Sequence, residues 1–140
     1  MNNNNNNNNN ININSNSKKF KYEFKMKTQA ELRNDLSDLE YRVTQLKGTE
    51  MPFSGEYYKH NEKGIYICLV CGLDLFDSNT KYESGAGWPS FYDQIDPKAI
   101  KVNIDTTHGM ERDEIVCAQC NSHLGHVFND GPKPTGKRYC

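Results

Sequence analysis

The stretch Gly64-Ile65-Tyr66-Ile67-Cys68-Leu69-Val70-Cys71 ends in two cysteines that are separated by two residues. The same spacing recurs at Cys117 and Cys120, again directly after a β-like run. Two such knuckles, each followed by small or turn-forming residues, present four thiolates in the arrangement of a tetrahedral metal site. We therefore predict one structural Zn²⁺ ion, held by Cys68, Cys71, Cys117 and Cys120. Four thiolates leave no open coordination position, so the ion would stabilise the fold and take no part in catalysis.

Two other interpretations of the paired cysteines are a redox-active pair and two disulfides. A thioredoxin-like pair opens a helix, whereas residues 72–76 have the pattern of a turn and a further short strand. Persistent disulfides are typical of secreted proteins, and the start of the chain lacks the apolar segment of a secretory signal. Since small domains often need a staple, zinc is the favoured interpretation.

Composition divides the 140-residue chain into a polar N-terminal part and a domain. Asn2–Asn10 form an unbroken run, so we expect residues 1–27 to be a disordered tail and basic linker, followed by a folded domain at 28–140. Residues 18–27 hold five Lys and one Glu, which leaves 12 Lys+Arg and 17 Asp+Glu, a charge of −5, for residues 28–140. This acidity argues against nucleic-acid binding, and no apolar run approaches the ~20 residues of a membrane span. We expect a cytoplasmic monomer, with organellar targeting as the alternative.

Patterning predicts short N-terminal helices followed by a β-rich region. Thr28 with Glu31, and Ser37 with Glu40, are candidate capping boxes, so Ser37 is expected to start a second helix. The apolar residues of this region share one helical face and are expected to pack in the core; they are Leu32, Leu36, Leu39, Val43 and Leu46.

Beyond Pro52 short apolar runs are separated by Gly, Pro, Asn and Asp, which is typical of strands. The predicted strands are 64–68, 99–104, 113–117, 124–128 and 137–140. The fold class predicted is therefore mainly β, with two packed antiparallel sheets stapled by the zinc site.

The fifth cysteine, Cys140, lies outside both knuckles and is predicted to be a free thiol. Strand alternation places Arg138 on the same face, where a guanidinium favours the thiolate form. His123 and His126 would face opposite sides of a regular strand, so Gly125 is expected to mark a bulge or a bend. A thiol with free imidazoles fits a hydrolase and a sulfur-redox enzyme equally well.

The single tryptophan follows a glycine-rich segment, Gly85-Ala86-Gly87, and precedes Pro89. This context predicts a loop that exposes the Trp88 indole beside a wall stiffened by Phe91. Taken alone, a lone tryptophan in a small domain is more often part of the core. With the thiol and the imidazoles, it would complete a nucleophilic site.

Residues 41–140 resemble a methionine-R-sulfoxide reductase of the B type. The similarity lies in both cysteine knuckles and in the segments 41–45, 48–50, 52–55, 87–91, 108–110, 123–128, 131–136 and 138–140. The resemblance implies two antiparallel sheets, with a zinc site away from the active site.

The resemblance also implies the roles of the candidate residues. Cys140 would attack the sulfoxide sulfur, and His126, assisted by His123, would donate protons to the departing oxygen. Trp88 would hold the S-methyl group, with the substrate-binding set completed by Phe91, Asp130 and Arg138. Asp130 is further expected to support an imidazole. Methionine would leave, and the cysteine would become a sulfenic acid.

Two features depart from the family pattern. Many relatives carry a resolving cysteine two residues before the tryptophan, where this chain has Ala86. We therefore expect a one-cysteine cycle, with thioredoxin or another external thiol as reductant, serving repair of oxidative damage. The domain is also expected to end at Cys140, without the final family strand. The alternative interpretation is a catalytically weak, zinc-stapled binding module.

Overall fold

A computed structural model describes residues 24–140 of the chain, and the predictions for the asparagine tract and most of the basic linker lie outside this range. Two helices open the described part: α1 (Gln29–Asp35) and α2 (Asp38–Leu46). Each begins with a complete capping box, at Thr28 and at Ser37, so the predicted helix starts are confirmed.

The predicted continuous apolar helix face is wrong in its second half. Leu36 adopts an extended conformation between the helices, so the spacing of the leucines does not carry over from α1 to α2. Leu32 is buried, whereas Leu39 and Leu46 are exposed. Instead, α2 buries Tyr41 and Thr44.

Within residues 24–140, eight strands form two antiparallel sheets, which confirms the predicted fold class. Their bounds are β1 (Ile65–Ile67), β2 (Asp74–Asp77), β3 (Lys81–Tyr82), β4 (Ser90–Phe91), β5 (Ile100–Asp105), β6 (Arg112–Cys117), β7 (His123–Phe128) and β8 (Arg138–Tyr139). The first sheet pairs β1 with β2, and the second has the order β3-β4-β8-β7-β6-β5. The last strand in sequence therefore lies inside the large sheet, between β4 and β7.

The core lies between the two sheets. Phe76 of β2 stacks on Phe91 of β4, with ring centroids 4.3 Å apart, and Tyr139 of β8 contacts Phe76. Ile115 and Val127 complete this cluster from β6 and β7. The apolar packing thus fixes β8 beside β7, and the polar site is built where these two strands meet.

Neither helix described within residues 24–140 has the length and apolar character needed to cross a bilayer.

Candidate functional site

The four paired cysteines converge on one cluster. Their sulfur atoms all lie within 4.8 Å of one another, with Cys68 Sγ 3.6 Å from Cys120 Sγ and Cys71 Sγ 3.5 Å from Cys117 Sγ. A tetrahedral zinc with bonds of about 2.3 Å would separate its sulfurs by roughly 3.8 Å. The cluster therefore has the dimensions and the donor set of a metal site.

Each knuckle is closed by main-chain hydrogen bonds that need a left-handed residue. Gly72 donates to the carbonyl of Cys68, and Asn121 donates to the carbonyl of Cys117. Gly72 has φ 83° and Asn121 has φ 64°, a conformation that glycine and asparagine adopt most readily. The small and turn-forming residues after each pair thus shape the thiolate turns, as the sequence pattern indicated.

Cys140 lies beside His126, at the end of β8. The two residues exchange both main-chain hydrogen bonds, each 2.9 Å long. A Cβ atom on Gly125 would lie 1.9 Å from the Cys140 carbonyl oxygen, so only glycine allows this approach. The nucleophile candidate is therefore placed by backbone contacts with the histidine strand.

The charge environment of Cys140 differs from the sequence expectation. Nη1 of Arg138 lies 3.5 Å from its sulfur, and this guanidinium favours the thiolate. However, burial outweighs that attraction and raises the pKa of the Cys140 thiol. Asp130, which forms two hydrogen bonds with Arg138 at 2.9 and 3.2 Å, also opposes the thiolate. The effect expected from Arg138 is thus present but outweighed, because desolvation disfavours the charged form.

The two histidines come together through a bulge in β7. Ile115 pairs with Gly125 while the next residue, Val116, pairs with His123, so Leu124 is the extra residue. The rings of His123 and His126 consequently lie 5.5 Å apart, edge to face. The bend predicted from Gly125 is present.

Each imidazole is held by a buried carboxylate. His126 Nε2 lies 2.9 Å from Asp105 Oδ2, and His123 Nδ1 lies 2.6 Å from Glu114 Oε2. The hydrogen bond from His126, followed by those from Thr107, holds the pKa of the Asp105 carboxyl well below its usual range. Burial lowers the pKa of His123, although Glu114 acts in the opposite direction.

These carboxylates correct the expectation that Asp130 supports an imidazole. Asp130 is exposed and paired with Arg138, whereas the partners of the imidazoles come from β5 and β6. Sequence reasoning missed both. The available signal was Glu114, a charged residue inside the predicted strand 113–117, directly opposite His126 in the observed register.

Trp88 forms one wall of a cleft that also contains Cys140, His123 and His126, with a volume of about 1060 Å³. Its indole Nε1 donates to the carbonyl oxygen of Glu50 at 3.0 Å, and the side chain is half-buried. Phe91 also borders the cleft but is only 5% exposed, so most of its ring belongs to the core. The structure thus brings the thiol, both imidazoles and the indole to one cavity.

Comparison with known proteins identifies the family of the chain. The sequence model of the SelR domain family matches residues 36–140. Methionine-R-sulfoxide reductase B3, mitochondrial, of Mus musculus is 57% identical over 113 residues. Peptide methionine sulfoxide reductase MsrB of Hahella chejuensis is 56% identical over 110 residues, and that of Leptospira interrogans is 55% identical over 108 residues. The chain belongs to the methionine-R-sulfoxide reductase B family.

The match extends over most of this protein and of its bacterial relatives. It covers 81% of this chain but 45% of the mouse protein. For the Hahella reductase the match covers 79% of this chain and 79% of the relative. For the Leptospira reductase it covers 77% of this chain and 82% of the relative. The chain is a peptide-methionine (R)-S-oxide reductase, which returns methionine-R-sulfoxide to methionine.

Proposed function

We propose that Cys140 is the nucleophile of this reductase and attacks the sulfoxide sulfur. The observation that carries the proposal is the meeting of its thiol with His126 and Trp88 in one cleft. The thiolate is oxidised by two electrons to a sulfenic acid, and the sulfoxide is reduced by two electrons to the thioether. The sulfoxide oxygen passes to the cysteine sulfur, and one proton is taken up for each thiolate that reacts.

His126 is the proposed proton donor to that oxygen, and His123 orients or shares the proton. The ionised carboxylate of Asp105, 2.9 Å from His126 Nε2, stabilises the imidazolium that precedes the transfer. General acid catalysis of this kind contributes typically ~10²–10⁴ in rate.

Trp88 and Arg138 complete the proposed site. The indole, fixed by its bond to the Glu50 carbonyl, would contact the S-methyl group and so select the R epimer. Arg138, held by Asp130, would keep its guanidinium beside the reacting sulfur, while Phe91 would support the wall from the core.

The regeneration step is proposed to use an external thiol. The chain has five cysteines, and four of them form the metal cluster, so none remains to resolve the sulfenic acid at Cys140. Two thiols from thioredoxin or another reductant would reduce it, giving a disulfide and water. A monomeric, cytoplasmic protein remains a prediction.

The four-cysteine cluster fits a single Zn²⁺ ion bound by Cys68, Cys71, Cys117 and Cys120. Such an ion supplies structural cross-linking, since its coordination is complete. We further propose that residues 28–140 form the reductase unit.

The test is turnover of N-acetyl methionine-R-sulfoxide with dithiothreitol, compared with the S epimer and with Cys140→Ser. R-specific turnover that disappears in Cys140→Ser is expected. Absence of R-specific turnover above that of Cys140→Ser would contradict the assigned nucleophile and favour the alternative, a catalytically weak zinc-stapled binding module. Mass spectrometry after one turnover without reductant should find one added oxygen on Cys140, and an internal disulfide at this residue would contradict the one-cysteine cycle.

A further inference from the structure

One lysine bridges both carboxylate–imidazole pairs. Lys47 Nζ lies 3.5 Å from Glu114 Oε1 and 3.8 Å from Asp105 Oδ1. The two carboxylate side chains are only 5% and 3% exposed. A single ammonium group therefore contacts both of the buried anions that hold His123 and His126.

The backbone at Lys47 is unusual for a lysine. The residue caps the C-terminus of α2 with φ 61° and ψ 32°, and its N–H bonds the carbonyl of Arg42. Glycine or asparagine is the usual residue at a left-handed cap. A lysine is disfavoured there by its Cβ atom. Its presence is therefore better explained by the contacts of its ammonium group than by a preference for the left-handed backbone conformation.

Charge is balanced in this network when both imidazoles are neutral. The anions are Asp105 and Glu114, and the cations are Lys47 and Arg112, whose Nη2 lies 3.6 Å from Asp105 Oδ2. On the remaining sides, the same cleft is lined by Arg138, Tyr139 and Cys140 from the end of the chain and by Glu40 of α2, whose carboxylate accepts a hydrogen bond from Ser37 N. The other titratable groups that line it lie between residues 50 and 68, and they are Glu50, Glu56, Tyr57, His60, Glu62, Lys63, Tyr66 and Cys68. A proton on either imidazole adds a positive charge that Lys47 repels.

We infer that Lys47 is a positioning residue, which acts through Asp105 and Glu114 to make the protonated imidazoles stronger proton donors to the sulfoxide oxygen. The inference rests on the proposed role of His126 as that donor. The effect of Lys47 on proton uptake by the imidazoles can nevertheless be measured independently of turnover. In the structure, Lys47 acts in the same direction as burial in lowering the pKa of His123.

Four variants of the full chain test the inference. Lys47→Met removes the charge while keeping an unbranched side chain, and Lys47→Arg retains the charge. Lys47→Gly removes the side chain but suits the left-handed backbone, so lost stability would not explain its effect. Lys101→Met removes one positive charge from an exposed position on β5 and controls for net charge.

The measurements are NMR titration of the two buried imidazoles and the pH profile of kcat/KM for N-acetyl methionine-R-sulfoxide. In Lys47→Met and Lys47→Gly, the imidazole midpoints and the alkaline limb should move up by on the order of half a pH unit. In both variants kcat should fall by up to about threefold with KM unchanged, because an acid weakened by half a pH unit transfers its proton more slowly. High salt should shrink the shift, and Lys47→Arg and Lys101→Met should match wild type.

Unchanged imidazole midpoints in Lys47→Met and Lys47→Gly would overturn the inference, and so would an equal shift in Lys101→Met. Failure of the proposed function looks different. In that case wild type would show no R-specific turnover above Cys140→Ser, while the imidazole titrations would still decide whether Lys47 acts on them.

Discussion

Replacing Gly125 by alanine should displace Cys140, the proposed nucleophile, without changing any of the proposed catalytic side chains. The new Cβ would lie 1.9 Å from the carbonyl oxygen of Cys140, where ordinary contact begins at 3.4 Å, so the cysteine must move by about 1.5 Å. That movement breaks the two 2.9 Å hydrogen bonds between Cys140 and His126. Gly125 also has φ 156°, a value that residues with a side chain rarely adopt.

The size of the effect follows from this displacement. A misplacement of about 1 Å costs on the order of 10²-fold in rate, so kcat/KM should fall at least a hundredfold. Two hydrogen bonds at about 0.5–1.5 kcal/mol each imply a free energy of unfolding lower by roughly 1–3 kcal/mol.

The assay is steady-state reduction of N-acetyl methionine-R-sulfoxide, with zinc content and circular dichroism measured on the same samples. Gly64→Ala is the matched control, because a Cβ at Gly64 meets nothing within 4 Å, and it should retain activity within about twofold. The alkylation rate of Cys140 by iodoacetamide gives a second measure of its exposure. A folded Gly125→Ala protein with activity near that of Gly64→Ala would refute the argument that this close contact places the nucleophile.

Three further predictions concern the metal, the proton donor and acid stability. Cys71→Ser should lower zinc stoichiometry and the free energy of unfolding by several kcal/mol, as measured by metal analysis and urea titration, whereas wild-type stability with full metal loss would contradict the structural role. Asp105→Asn should reduce kcat by roughly 10–100-fold with a smaller change in KM, and an unchanged kcat would remove Asp105 from the proposed proton-donating pair. Burial lowers the pKa of His123 below its ordinary 6.5. As the pH falls below 6.5, this imidazole is therefore protonated in the unfolded chain while it is still neutral in the folded protein. The free energy of unfolding should therefore decrease below pH 6.5, by at most about 1.4 kcal/mol per pH unit; His123→Gln should flatten this slope, and a slope unchanged in that variant would contradict the assignment.

Local signals in the sequence were sufficient for several parts of the structure. The capping boxes at Thr28 and Ser37 join residues three positions apart, so four consecutive residues are enough to predict each of them. The bulge next to Gly125 was likewise predictable, because two histidines three residues apart can share a face only if the strand is irregular.

Contacts between distant segments were not predictable in the same way. Asp130 is four residues from His126 in sequence but binds Arg138, whereas Asp105 is 21 residues away and reaches the imidazole from β5, which lies two strands from β7. Only the strand order, with β6 between β5 and β7, makes that contact possible. Similarly, the extended Leu36 interrupts a spacing that a single helix would have kept on one face.

The hydrogen bond from the Trp88 indole to the Glu50 carbonyl means that a main-chain atom orients the side chain proposed to bind the substrate. No side-chain replacement at position 50 deletes this acceptor, so the indole is insensitive to point changes there. It depends instead on the path of the linker that follows α2, where Phe53 N bonds the carbonyl of Gly87 at 2.7 Å. Insertions or deletions between residues 47 and 53 should therefore rotate the indole, and under the proposed role of Trp88 the length of this linker would influence which sulfoxides bind.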